Sequence, residues 1–162
     1  MPVLVGKDYA FVEKFSWAFE IGLGDAFGLL TPERLVLLPY RTENHENVHG
    51  NYKTTTTHIK VDGIHPVQAV TTLLNDEDTT VEVMNQTIDG WLQQVPKGPI
   101  CRPLTTFGSI RIYTGWIRRS VAFLPPEGIA RTGNSIAIRP SKTEIKDFVT
   151  LLDGHPLLEF IK

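Results

Sequence analysis

Alternation of apolar and polar residues predicts β-strands in two separate parts of the chain. The stretch 9–21 fits both strand spacing and helix spacing, and its aromatic enrichment favours a strand. Gly22, Gly24 and Asp25 then predict a turn, and the polar, turn-rich stretch 42–53 predicts a loop. The mostly apolar run 34–40 and the β-branched run 54–61 predict further strands. The predicted strands are 9–21, 26–31, 34–40, 54–61, 107–113, 117–124 and 135–139.

Helical spacing is found in the middle of the chain and again near its end. Pro66 predicts a helix start, and apolar residues recur three and four positions apart after it. This pattern predicts a pair of helices within 66–95. Ser141 and Glu144 have the spacing of a capping box, and the apolar face that follows them predicts a helix within 141–161.

The order of these elements predicts an α+β fold in which strands, a helical pair, further strands and one C-terminal helix follow one another. Strands that lie close together in sequence form hairpins, so we expect mostly antiparallel sheets with about seven strands. The proline-rich stretch 96–103 predicts a connector, and 156–161 predicts a final turn. No internal repeat and no dividing linker is visible in the sequence, so a single domain is predicted over 1–162.

One stretch of the sequence resembles a known family. Residues 24–38 form a strand–turn–strand pattern with a T-x-x-R-L hairpin that begins at Thr31. This is similar to GRAM-type and bacterial members of the pleckstrin-homology-like superfold, and the strand and helix over 136–152 are similar to the end of that family. The resemblance implies a PH-like domain with the helical pair 66–95 as an insertion. It also implies a binding or scaffolding role toward lipids, peptides or partner proteins.

The composition limits the classes of function. The chain has 162 residues, of which 41% are hydrophobic and 21% charged, as in globular proteins. Its net charge of −2 excludes a strongly basic nucleic-acid footprint, and a single cysteine, Cys101, excludes a disulfide framework and a four-cysteine zinc site. The sequence has no long apolar run and no signal-like N-terminus. We therefore expect a cytoplasmic protein without a transmembrane segment.

Residues 45–49 match the H-E-x-x-H pattern of zincin metallopeptidases. On a helix, His45 and His49 would share one face and ligate zinc, with Glu46 as the general base for water. The surrounding stretch lacks an amphipathic helical pattern, and Gly50 follows directly, so a solvated loop is the favoured interpretation. A zinc site would need a third ligand, for which the candidates are His58, His65 and Glu82.

Arginines lie on both sides of the predicted turn at 113–116. A basic hairpin of this kind can bind phosphate groups or an acidic partner, although solvated strand arginines are the competing interpretation. Trp116 lies beside the turn, where an exposed aromatic ring would mark a contact site. The predicted binding residues are Arg111, Trp116, Arg118 and Arg119.

These observations favour a PH-like binding or interaction module without catalytic activity and without a cofactor, whose partner is a protein or a phosphate-bearing ligand. The alternative is a small zinc-dependent hydrolase with His45 and His49 as ligands and Glu46 as base. A third hypothesis is a self-assembling protein whose exposed strand edges pair between chains, which would make it a homo-oligomer. The stretch 42–53 separates the first two, since the hydrolase needs a helix there and the binding module needs a hairpin loop.

Overall fold

The computed structural model describes residues 2–19, 22–131 and 133–161. This described part of the chain is α+β with two mostly antiparallel sheets, which confirms the predicted fold class. It contains nine strands, where the sequence predicted about seven. The strands are β1 Ala10–Phe19, β2 Gly22–Leu30, β3 Arg34–Val48, β4 Asn51–His58, β5 Ile100–Pro103, β6 Ser109–Thr114, β7 Arg119–Leu124, β8 Ile136–Ile138 and β9 Leu158–Ile161. The helices are α1 Pro66–Asn75, α2 Val81–Gln94 and α3 Glu144–Leu152, and a short 3₁₀ turn spans Leu104–Thr106.

The strands form two sheets. The first has the order β1-β2-β3-β4, with β5 paired beside β3, and the second has the order β8-β7-β6-β9. The pairs β3–β4, β6–β7 and β7–β8 are antiparallel, whereas β6 and β9 run parallel. The parallel pair is possible because α3 lies between these strands in the chain and reverses its direction.

The chain divides into two compact units. One includes Glu13–Phe27 and Leu37–Ile100, and the other includes Leu4–Val12, Gly28–Val36 and Cys101–Lys162. Each unit has its own buried apolar side chains. In the first they include Phe27, Leu37, Leu38, Val61, Val70, Met84, Ile88 and Trp91, and in the second Leu29, Leu35, Ile110, Ile112, Val121, Phe123, Ile138, Phe148 and Leu152. The prediction of a single domain over 1–162 stays a prediction.

Thr31 forms the turn between β2 and β3, where the sequence predicted a T-x-x-R-L hairpin. Its hydroxyl oxygen accepts hydrogen bonds from the backbone N–H of Glu33 at 3.2 Å and of Arg34 at 3.1 Å. The Thr31 backbone N–H donates to the carbonyl of Arg34 at 2.9 Å. A buried threonine therefore satisfies the polar backbone groups of this turn, which confirms the local strand–turn–strand pattern.

Two of the three helices that the structure describes, α1 and α3, begin as the sequence signals predict. Pro66 occupies the first turn of α1, and the His65 imidazole accepts a hydrogen bond from the Val67 backbone N–H. Before α3, Ser141 and Glu144 form the reciprocal capping box, with bonds of 2.8 Å and 3.1 Å. The helical pair and the C-terminal helix are therefore confirmed as elements, with α3 ending at Leu152.

Asp62, four residues after β4, is hydrogen-bonded to the end of α2. Its carboxylate accepts from the Trp91 indole N–H at 2.8 Å and from the Gln94 side-chain amide at 2.7 Å. Its backbone N–H donates to the Gln94 side-chain oxygen at 2.8 Å. The bonds from Gln94 and Trp91 stabilise the charged form and hold the pKa of Asp62 below its usual value. Three hydrogen bonds thus fix a backbone that has positive φ at Asp62.

The predicted loop at 42–53 is wrong, because this stretch is paired rather than irregular. β3 continues through it, and β4 pairs with β3 from Arg41↔His58 to Val48↔Asn51. Between them His49 and Gly50 form a two-residue turn in which both φ angles are positive, at 52° and 81°. Backbone hydrogen bonding holds this polar sequence in strands although neither face provides an apolar signal.

Three further segments differ from the sequence prediction. Residues 22–25, predicted as a turn, belong to β2, because β2 begins at Gly22. The connector 96–103 includes β5, and the predicted final turn at 156–161 includes β9. Short strands such as these form through backbone pairing with a longer neighbour, so their own sequence carries little signal.

Candidate functional site at the β6–β7 hairpin

The β6–β7 hairpin is packed against the interior, with β6 buried on one face and β7 buried on both. The two strands pair from Ser109↔Leu124 to Thr114↔Arg119, and their inward residues alternate with the pleat. Ile110, Ile112, Val121 and Phe123 are fully buried on one face of the pair. The connecting residues 115–118 are therefore presented at the end of a hairpin whose base is packed.

The tip of the hairpin exposes two large apolar side chains next to each other. Trp116 is 95% exposed and Ile117 is 83% exposed, the highest values among the large hydrophobic residues that the structure describes. Single exposed apolar residues are common on proteins, but an adjacent Trp and Ile on a turn form a concentrated apolar patch. This patch is the strongest indication of a contact surface in the described residues.

Two arginines follow this apolar patch, and the structure holds each of them in place. The Arg118 guanidinium lies over the Tyr113 ring, 4.0 Å from its centroid. The Arg119 Nε donates to the carbonyl oxygen of Pro140 at 3.0 Å. Within the described part of the chain neither arginine is ion-paired with a carboxylate, so their positive charge is available to an anion.

Arg111 differs from the other predicted binding residues because its charge is matched. It lies opposite Glu159 in the parallel β6–β9 pair, and its Nε donates to the Glu159 carboxylate at 2.8 Å. The hydrogen bond from Arg111 to Glu159 raises the pKa of the guanidinium. The structure therefore groups Trp116, Arg118 and Arg119 at the tip and places Arg111 lower on β6.

Trp116, Arg118 and Arg119 were predicted from the sequence, but Ile117, Tyr113 and Pro140, which complete the tip, were not. Ile117 and Arg118 were placed in a predicted strand over 117–124, whereas β7 begins at Arg119 and both belong to the turn. Tyr113 supplies the ring beneath Arg118, and Pro140 supplies the carbonyl for Arg119. Tyr113, five positions before Arg118, is an aromatic residue that could have been identified from the sequence as a partner of this arginine. The contact with Pro140 could not, because it is set by tertiary structure.

The H-E-x-x-H residues lie on the β3–β4 hairpin and not on a helix. His45 and Glu46 are in β3, opposite Thr54 and Lys53 of β4, and His49 is in the turn. Since neighbouring strand residues point to opposite faces, the arrangement in which two histidines share a helical face with a glutamate between them is not formed. Among the described residues there is no group of three or more His, Cys, Asp or Glu side chains placed to hold a metal ion.

The surroundings of His45 are those of a strand surface. Its Nδ1 lies 3.0 Å from the Thr54 hydroxyl, its Nε2 lies 3.7 Å from the Glu43 carboxylate, and its ring stacks on Tyr52 at 5.5 Å. Glu43 is in turn ion-paired with Arg41. These contacts form a row of polar side chains on one face of the β3–β4 hairpin.

A cleft of about 590 Å³ lies beside α1. Tyr40 and His65 line it, with ring centroids 4.7 Å apart. Burial, followed by the charges of Asp25 and Glu13, raises the pKa of Tyr40 to about 12, so this phenol stays neutral at ordinary pH. The His65 Nδ1 already accepts the Val67 backbone N–H, which is a structural role at the start of α1.

Comparison with protein-family models, with curated proteins and with solved structures gives no match to this chain. In addition, no helix among the described residues is long and apolar enough to cross a membrane. The chemistry of the hairpin tip is therefore what indicates the function.

Proposed function

We propose that this protein is a non-catalytic binding module that uses the tip of the β6–β7 hairpin to bind a phosphate-bearing membrane surface. The observation that carries the proposal is the exposed Trp116–Ile117 pair directly before Arg118 and Arg119. An apolar pair beside two cations on a packed hairpin has the composition that interfacial binding requires.

The two parts of the tip suit two layers of a bilayer. Tryptophan is favoured at the boundary between head groups and acyl chains, and a neighbouring isoleucine adds apolar surface that leaves water on insertion. Each arginine near an anionic surface contributes about 1 kcal/mol of attraction. The tip therefore combines insertion with charge recognition, as the predicted phosphate-bearing ligand requires.

A bilayer suits this tip better than a protein partner does. A stable protein–protein interface takes roughly 20 to 30 residues from each side. The apolar part of this tip consists of Trp116 and Ile117, and both protrude almost fully from the surface. A lipid surface needs no shape complementarity from the neighbouring residues, so a small protruding tip is sufficient.

The same proposal includes the PH-like fold, the cytoplasmic location and the homo-oligomer expected from the sequence. A PH-like domain is supported by the antiparallel strands followed by α3, and β9 after this helix is an addition to the predicted pattern. The cytoplasm is the proposed compartment, since Cys101, the one cysteine, is exposed and free. The exposed strand β4 supports the expectation of a homo-oligomer.

The experiment is vesicle co-sedimentation with phosphatidylcholine alone and with added phosphatidylserine. We expect the chain to bind the anionic vesicles, and Trp116→Ala to weaken this binding about tenfold or more through lost apolar burial. Arg118→Gln is expected to weaken it about fivefold and to reduce its salt dependence.

The matched control is Ile129→Ala, because Ile129 is also an exposed apolar residue, at 51%, but lies outside the tip. This variant should bind as the unaltered chain does. Absence of binding to anionic vesicles, or equal binding by Trp116→Ala, would contradict the proposal and would turn attention to a protein partner.

A further inference from the structure

Strand β4 ends one side of its sheet with an unpaired edge. In the order β1-β2-β3-β4 it pairs with β3, and no other strand of the described chain lies beside it. All eight of its residues are exposed. One row of backbone N–H and C=O groups along β4 is therefore available for hydrogen bonds to another strand.

The usual protections of a strand edge are weak in β4. Natural edges are short, bulged, or interrupted by proline and charged residues. β4 contains no proline, and its register against β3 runs without a bulge from Val48↔Asn51 to Arg41↔His58. Its one Lys or Arg residue, Lys53, lies opposite Glu46 on β3. The four threonines at 54–57 are β-branched and favour extended backbone.

The outer part of the β3–β4 hairpin gains no stability from side-chain burial. From Asn44 onward, β3 has no buried residue, and β4 has none at all. Strands without an apolar face are stabilised mainly by backbone pairing, and β4 has such pairing on one side, with β3. A strand added at β4 would supply backbone pairing along the full length of this hairpin.

We propose that β4 pairs antiparallel with β4 of a second copy of this chain, with Thr55 of one copy directly opposite Thr55 of the other. A two-fold axis perpendicular to a sheet relates each residue to its copy on the same face. Directly opposed residues of antiparallel strands also share a face. One residue must therefore lie opposite its own copy at the axis. The inference is independent of membrane binding by the β6–β7 tip.

The second copy fits because this register brings no like charges together. With Thr55 at the centre, Lys53 lies opposite Thr57 of the second copy, and Thr54 lies opposite Thr56. Tyr52, which is 73% exposed and stacks on His45 in its own chain, lies opposite the second copy's His58. Cross-strand threonine pairs and aromatic pairs each favour such an edge contact.

The first test is disulfide trapping in the full chain with Cys101→Ser. Directly opposed residues of antiparallel strands have Cα atoms about 4.5 to 5.5 Å apart, within reach of a disulfide. Thr55→Cys is therefore expected to give a covalent dimer under mild oxidation. Thr57→Cys is the matched control, because four residues along a strand place its two copies about 14 Å apart.

The second test measures mass by sedimentation equilibrium over a range of protein concentrations. We expect a monomer–dimer equilibrium, and Thr55→Lys should raise the dimer dissociation constant about tenfold or more by opposing two lysines. Asn44→Lys adds the same charge opposite Thr55 but on β3, and it should leave the dimer nearly unchanged. Circular dichroism checks that both variants keep their fold.

The two tests have different outcomes if the β4–β4 pairing is present and if it is absent. A covalent dimer with Thr55→Cys and not with Thr57→Cys, together with dissociation by Thr55→Lys, supports the pairing. A monomer at every concentration, equal cross-linking at both positions, or a dimer unaffected by Thr55→Lys overturns it. None of these results depends on vesicles, so failure here and failure of the proposed membrane binding are distinguishable.

Discussion

The β6–β7 and β3–β4 hairpins have the same antiparallel geometry but are stabilised in opposite ways. β6–β7 buries Ile110, Ile112 and Phe123 on one face and concentrates its apolar exposure at the tip. The outer part of β3–β4 buries nothing and exposes mostly polar side chains, together with Val48 and Tyr52. The first hairpin is held by side-chain packing, and the second is held by backbone pairing.

This difference decides what each hairpin can bind. A tip on a packed base presents side chains in fixed positions, so its specificity comes from Trp116, Arg118 and their supports. An exposed edge presents mainly backbone groups, so its specificity comes from register and from avoided charge conflicts. We therefore assign ligand binding to the first hairpin and strand pairing to the second.

The largest expected effect on the free energy of unfolding comes from a change in the packed base of the β6–β7 hairpin. Phe123 is fully buried, with its ring centroid 5.3 Å from that of Phe107. Phe123→Ala should lower the free energy of unfolding by about 3 to 5 kcal/mol through lost burial and a cavity. Thr55→Ala in β4 should lower it by less than about 1 kcal/mol. Urea unfolding of dilute protein measures both, and losses of similar size would remove the contrast between the hairpins.

A smaller effect is expected where the chain leaves the β3–β4 hairpin, at Asp62. Since hydrogen bonds lower the pKa of Asp62 in the folded state, its contribution to stability is present above the ordinary aspartate pKa. It is lost as the pH falls through the lower, folded-state pKa. We expect the chain to be more stable than Asp62→Asn at pH 7, with the difference shrinking below about pH 4. Urea midpoints of both proteins across this range measure it, and a difference independent of pH would contradict the assignment.

The smallest effect concerns Ser120, in the otherwise well-packed β7. Its hydroxyl is buried, and no hydrogen-bond partner for it lies among the residues that the structure describes. A buried hydroxyl without a partner costs stability, so Ser120→Ala should be neutral or stabilising, by up to about 1 kcal/mol. Thermal unfolding detects this change. A clear destabilisation would show that the hydroxyl makes a bond in solution.

The sequence predicts the packed hairpin much better than the exposed one. Ile110 and Ile112 of β6 alternate with polar residues because one face of this strand is buried. β7 is buried on both faces from Ser120 to Leu124 and is therefore a mostly apolar run, and these two patterns identify the two strands. The stretch 44–53 shows no alternation because both of its faces are exposed. Its strands depend on pairing between distant backbone groups, and the only local signal is Gly50 at a turn position.

For the candidate site residues, the success and failure of prediction from the sequence have the same physical origin. Trp116 could be identified because it follows a predicted turn. Ile117 was assigned to a strand because a β-branched residue before an apolar run fits strand propensity, while its exposure depends on where pairing stops at Thr114↔Arg119. The pairing of Arg111 with Glu159 depends on β9, which the sequence did not predict.

The three tryptophans of this chain occupy three different environments, and each can therefore serve as an optical probe. Trp91 is 3% exposed with its indole bonded to Asp62, Trp17 is half-buried, and Trp116 is almost fully in water. Indole fluorescence shifts to the blue when water leaves its surroundings, and soluble quenchers reach exposed rings first. Trp116 therefore reports occupancy of the hairpin tip through its own emission, with Trp91 as an internal reference that quenchers do not reach.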